Sequence, residues 1–90
     1  MGVGSVVTVS ARYIAAQNIV IAAGVVLNHG TPAGNVLVKV DGDWGGTGTA
    51  MSSTAGGGYS ATLAAGSNVA GRTVTASANN GATASGVVTG

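Results

Sequence analysis

Residues 18–27 read NIVIAAGVVL, and Ile19, Ile21, Ala23, Val25 and Leu27 recur in it at every second position. That period belongs to an extended strand, whose side chains alternate between faces. The five odd-numbered residues are therefore expected inside a core. The run from Ile19 to Leu27 follows Arg12 and resembles the apolar part of a secretory leader, but at nine residues it falls far short of the about 20 that span a bilayer as a helix. Gln17 and Asn18 interrupt its approach, and no convincing small-residue cleavage site precedes a mature domain. A buried strand is the better reading.

Moving outward, NHGTPAGN (28–35) carries Gly30, Pro32 and Gly34, residues suited to reversing the chain. Val36, Val38 and Val40 then alternate with Leu37, Lys39 and Asp41, which places Lys39 on the outer face of the next strand. DGDWGG (41–46) breaks the pattern, and 47–53 is a weak Thr-rich strand in which Met51 is the expected core contributor. Beyond the glycines at 56–58, Tyr59, Ala61 and Leu63 share one face and Ser60 and Thr62 the other. In 72–78, Val74, Ala76 and Ala78 alternate with Thr73, Thr75 and Ser77, and Asn80-Gly81 then suits a type I′ hairpin into 82–89. On the N-terminal side lie an apolar run at 3–9 and a less regular continuation, SARYIAA, at 10–16. Counting these runs gives seven strands and no amphipathic helix. With turns every eight to twelve residues, the pattern is that of a two-sheet Greek-key sandwich of antiparallel strands.

Ninety residues suffice for one small domain, here 17–90 as the sandwich with 1–16 as an N-terminal strand or arm. Charged residues are 6% of the chain, against roughly 25% in ordinary soluble domains, and the formal net charge is +1. Such a surface, made of Thr, Ser, Asn, Gly and Ala, loses its water at little cost when it meets another protein and offers little to resist association. Arg12, Lys39 and Arg72 are scattered, so no run of cations follows a phosphate backbone. There is no Cys and hence no disulfide staple.

Reactive groups are equally sparse. His29 is the single imidazole and sits in a turn, with no Cys or Glu anywhere in the chain to join it in a metal site. No G-x-S-x-G elbow surrounds any serine. Asp41 and Asp43 stand where a calcium loop would begin, but that loop's fifth position is Gly45 and its twelfth is Ser52 where a bidentate Glu is needed. The glycine clusters contain neither G-x-G-x-x-G nor a P-loop lysine. No enzyme chemistry, metal or cofactor is expected. Trp44, at a turn, either caps the sandwich or projects as a contact anchor; Tyr13 and Tyr59 are expected to be half-buried.

TPAGNVLVKVDGD (31–43), STAGGGYSATLAAG (53–66) and AGRTVTASANNG (70–81) resemble the Pro-x-Gly turn, the Gly-rich turn into a Tyr strand and the Val-Thr-Ala strand of the bacterial immunoglobulin-like domains found in invasin-type adhesins and phage structural proteins. The resemblance implies an immunoglobulin-like sandwich used as a structural part. Two functions fit: a decoration or cement subunit on a phage capsid, located on the virion and bound to the major capsid protein and to copies of itself; or a cell-surface adhesin or fibre module. A start at Met1 without a leader and an end at Gly90 favour the virion part. Small core side chains leave stability narrow, so burial between subunits would add to it. The residues expected to meet a partner are Val3, Val6, Val7, Arg12, Tyr13 and Trp44, with 1–16 supplying much of the contact through an extended arm.

Overall fold

The computed structural model describes residues 4–90 and contains, in chain order, β1 (Ser5–Val7), β2 (Ser10–Ile14), β3 (Ile19–Asn28), β4 (Thr31–Pro32), β5 (Leu37–Gly42), β6 (Thr47–Met51), β7 (Gly58–Ala64), β8 (Thr73–Ala78) and β9 (Thr83–Thr89). The described residues form no helix, so the chain is all-β. Nine strands appear where seven are expected. The N-terminal run divides into β1 and β2, and Thr31–Pro32 pairs briefly with Leu27 and Asn28 inside the expected turn.

β3 is paired along both edges. One edge takes β2 over Ile19–Ala23 and then β1 over Val26–Asn28; the other takes β7 and then β4. A second group runs β9-β8-β5-β6, all antiparallel. A short parallel pairing of Ala11 with Val88 and Arg12 with Thr89 joins the two groups, so the sheet is mixed where only antiparallel pairs are expected. β6 lies against β7 without pairing with it: a Cβ on Gly48 would stand 2.6 Å from the Thr62 carbonyl oxygen. The result is a sandwich-like fold whose interior holds Val20, Val26, Val38, Val40, Leu63 and Val74, all without solvent exposure.

Alternation sets the inner faces of β5, β7 and β8 as expected. Val36, Val38 and Val40, then Tyr59, Ala61 and Leu63, then Val74, Ala76 and Ala78 are buried, while Lys39 is exposed. β3 has the opposite phase. Val20, Ala22 and Val26 point inward, while Ile21 and Val25 are 38% and 37% exposed and Ile19, Ala23 and Leu27 are half-buried. The cause lies across the ladder, where Val20, Ala22 and Gly24 are opposite Leu63, Ala61 and Tyr59. Gly24, on the even-numbered face, leaves room for the Thr8 carbonyl, which a Cβ there would meet at 2.0 Å and to which the Tyr59 hydroxyl donates. In β6 the inward positions are Gly48 and Ala50, small because β7 is close, and Met51 is 57% exposed. The β8–β9 hairpin uses three loop residues, Asn79, Asn80 and Gly81. Ala78 N–H donates to the Ala82 carbonyl at 2.8 Å, and only Gly81 has positive φ (97°), as in a type I turn closed by a bulge and unlike type I′.

The segment expected as an arm is, from Ser5 onward, part of the sheet. β1 and β2 share one continuous register on β3, interrupted at Thr8 and Val9. There Thr8 N–H still donates to the Val25 carbonyl, but Val25 N–H donates to the Thr8 hydroxyl at 3.0 Å, which replaces the backbone carbonyl in the ladder.

Candidate interaction surface

The titratable side chains are dispersed. His29 occupies an exposed turn in the left-handed region (φ 53°), its N–H donating to the Gly4 carbonyl. Asp43 is engaged by Arg72, whose Nε donates to Oδ1 at 2.9 Å, while Thr73 N–H donates to Oδ2 at 3.3 Å. Both members of this ion pair are about half exposed, so it fastens the 43–46 turn to β8 with little energy. Among the described residues no three His, Cys, Asp or Glu side chains approach closely enough to hold a metal ion.

The residues expected at a partner contact fall into distinct environments. Val7 is in the core at 4% exposure, its side chain unable to reach a partner, whereas Val6 beside it is 42% exposed. Val3 lies outside the described residues. Trp44 caps the sandwich: its Nε1–H donates to the Ala64 carbonyl at 2.8 Å, and its indole packs over Gly42 and Gly46, where a Cβ would strike the ring. Tyr13 is half-buried against the core and donates its hydroxyl hydrogen to Asn18 Oδ1 at 2.8 Å. Arg12 lines an open groove.

That groove, about 200 Å³, lies on the outer face of β2, β3 and β9 and is lined by Ser10, Ala11, Arg12, Ile21, Ala23, Val87 and Thr89. Arg12 is opposite Ile21 in the β2–β3 ladder and beside Thr89 across the parallel pair. Val87 is 60% exposed, and Val25 extends the apolar strip along β3. A second exposed pair, Leu37 and Met51, is directly opposed across β5 and β6. Ile21 and Ala23 were expected in the interior and not at the surface. Their signal was present in 18–27, which is apolar on both faces and so must show one of them outward unless both are covered.

The chain matches no protein-family model, no curated protein and no solved structure. Geometry and chemistry therefore carry the functional reading. An apolar groove with one guanidinium and two hydroxyls at its rim provides no nucleophile activated by a base; it provides area that another protein can cover and a donor that a carboxylate or carbonyl can meet.

Proposed function

We propose that this chain is a non-enzymatic structural subunit with an immunoglobulin-like Greek-key sandwich, acting as a decoration or cement protein on a phage capsid. The single observation that carries the reading is the outer face of β2, β3 and β9, where Ile21, Val25 and Val87 are exposed around one charged residue, Arg12. Exposed aliphatic side chains clustered on a strand face are what a protein contact covers. The topology is compatible with the fold name: β1, β2, β4 and β7 gather around β3, β9, β8, β5 and β6 form a second run of strands, and β2 joins the two groups by pairing in parallel with the last strand. A standard interface takes about 800 Å² from each partner, roughly a sixth of the 4614 Å² surface, so one sheet face suffices.

The partners in this reading are the major capsid protein and neighbouring copies of the chain, and no metal or cofactor takes part. The test is reconstitution of the purified protein with capsids assembled from the coat protein encoded in the same genome, followed by electron microscopy. Added density at symmetry-related lattice positions is expected, and a variant carrying Arg12→Glu and Val87→Asp should lose it. A folded protein that binds neither capsid nor itself would overturn the proposal. The elongated envelope, 39 × 25 × 17 Å, also suits a spacer module in a cell-surface fibre; binding to cells without binding to capsids would favour that second reading.

A further inference from the structure

Asn80 stands at the tip of the β8–β9 hairpin, followed by Gly81, and its side chain is held at both ends. Its Oδ1 accepts from Ala82 N–H at 3.1 Å, and its Nδ2 donates to Asn28 Oδ1 at 2.8 Å, a contact between residues 52 positions apart. Gly81 N–H donates to the Ala78 carbonyl at 3.0 Å. Gly81 is exposed, and a Cβ built on it would meet nothing within 4 Å. Each of the other asparagines is followed by a residue with a side chain, namely Ile19, His29, Val36, Val69 or Asn80.

We propose that Asn80 is the site of spontaneous deamidation in this protein and that Asn28 sets its rate. The Gly81 amide gives its proton to hydroxide, and its nitrogen attacks Cγ of Asn80. A new N–Cγ bond forms, the Cγ–Nδ2 bond breaks, and the departing nitrogen takes a proton back from the water just formed, so that ammonia leaves, hydroxide is regenerated and a cyclic imide remains. Water then opens the ring at one of its two carbonyls to give aspartate or its isomer with the backbone routed through the former side chain. Hydroxide and water are the only co-reactants, and no electron transfer is involved.

Each hydrogen bond at the site has a definite effect on this step. The lack of a side chain at Gly81 lets its nitrogen reach Cγ, a freedom of approach that any Cβ would restrict. Donation from Ala82 N–H to Oδ1 draws electron density from Cγ and favours attack. The bonds from Gly81 N–H to Ala78 and from Nδ2 to Asn28 oppose it, because both must break before Cγ can turn to the incoming nitrogen. Asn28 therefore acts as a latch on a side chain far away in sequence. The product places a carboxylate oxygen against Asn28 Oδ1, two acceptors face to face, and lowers the formal net charge from +1 to zero. With five charged side chains in all (three basic, two acidic), one further carboxylate is a large change to the surface field.

The test is incubation of the full chain at mildly alkaline pH, followed by peptide mapping for the mass change of an amide becoming an acid and for isoaspartate. Asn80 should be modified ahead of every other asparagine, faster as pH rises. Asn28→Ala should accelerate modification about three- to tenfold, the factor set by one hydrogen bond of ordinary net strength, with an unchanged circular dichroism spectrum. A synthetic peptide spanning 77–84, which lacks the latch, should react faster than the folded chain. Modification of another asparagine first would overturn the site, and equal rates in the parent and in either the folded Asn28→Ala variant or the peptide would overturn the latch.

Discussion

The Tyr59 hydroxyl on β7 donates a hydrogen bond to the backbone carbonyl of Thr8, 51 positions earlier, at the point where β1 gives way to β2. Thr8 turns its carbonyl inward over Gly24 and offers its hydroxyl to Val25 N–H in the ladder. The interruption of the N-terminal strand is thus a built junction between strand edge and core. Replacing Tyr59 with Phe leaves the inward carbonyl without a donor. Loss of about 1–3 kcal/mol is expected, read as a lower urea midpoint with unchanged slope.

Burial raises the Tyr59 phenol above its ordinary pKa by desolvating the phenolate. Below about pH 10 both folded and unfolded chains keep the proton and the stability contribution is complete. As pH rises past that value the unfolded chain releases its proton while the folded chain retains it, so the folded state binds more protons and stability falls until the raised folded pKa is passed. Denaturation measured at stepped alkaline pH should show this decline, and Tyr59→Phe should flatten it. An equally steep decline in the variant would remove Tyr59 as its source.

Gly24 is the position least able to accept a side chain, since a Cβ there would lie 2.0 Å from the Thr8 carbonyl oxygen, a backbone atom with no freedom to withdraw. Gly24→Ala should cost about 1–3 kcal/mol or more by overpacking. Gly56→Ala, at an exposed position with open space around it, should stay within about 0.5 kcal/mol. Thermal melts of the two variants side by side make the comparison.

Adjacent residues on β3 should respond oppositely to the same charge. Val20 is fully buried, so Val20→Asp puts an unpaired carboxylate in the core and should abolish cooperative folding. Ile21→Asp changes an outward side chain in a central strand and should cost about 1 kcal/mol, leaving a soluble folded domain. A folded Val20→Asp chain with an unfolded Ile21→Asp chain would reverse the phase of the strand.

Ser52 is the buried polar side chain of the interior, 3% exposed. Its Oγ accepts from Val36 N–H at 3.0 Å and donates to the Ala33 carbonyl at 2.7 Å, holding the strand-free stretch before β5 to the end of β6. Ser52→Ala strands both groups and should destabilise by about 1–3 kcal/mol. Amide exchange at Val36 should rise with it, whereas a merely smaller side chain would leave that amide protected.

Strand positions were legible wherever polar residues mark an outer face. Lys39 orients β5, Ser60 and Thr62 orient β7, and Thr73, Thr75 and Ser77 orient β8. In 18–27 both faces are apolar, so alternation located the strand and left its phase undetermined; two isoleucines drew the core to the wrong side. The deciding fact, the Thr8 carbonyl seated over Gly24 and held by Tyr59, depends on pairing between distant segments. The same inversion hid the groove, because Ile21 was assigned to the interior. Arg12 and Val6 are exposed, while Tyr13 and Trp44 find hydrogen-bond partners within the chain, a satisfaction that composition and spacing do not reveal.

The pairing of β2 with β9 brings together residues as much as 78 positions apart, with Thr89 Oγ1 donating to the Ala11 carbonyl at 3.3 Å. The β8–β9 hairpin closes over three residues and β5–β6 over a short turn, so each can form early at little loss of chain entropy, whereas the clasp must await encounter of two strands from opposite ends of the chain. Because β2 joins β3 across the short 15–18 turn, refolding is expected to leave the other edge of β2 unpaired until a final slow step, and during that interval the backbone of Ala11 and Arg12 is available to a neighbouring chain. Dilution at the onset of refolding is the practical safeguard for preparing this protein.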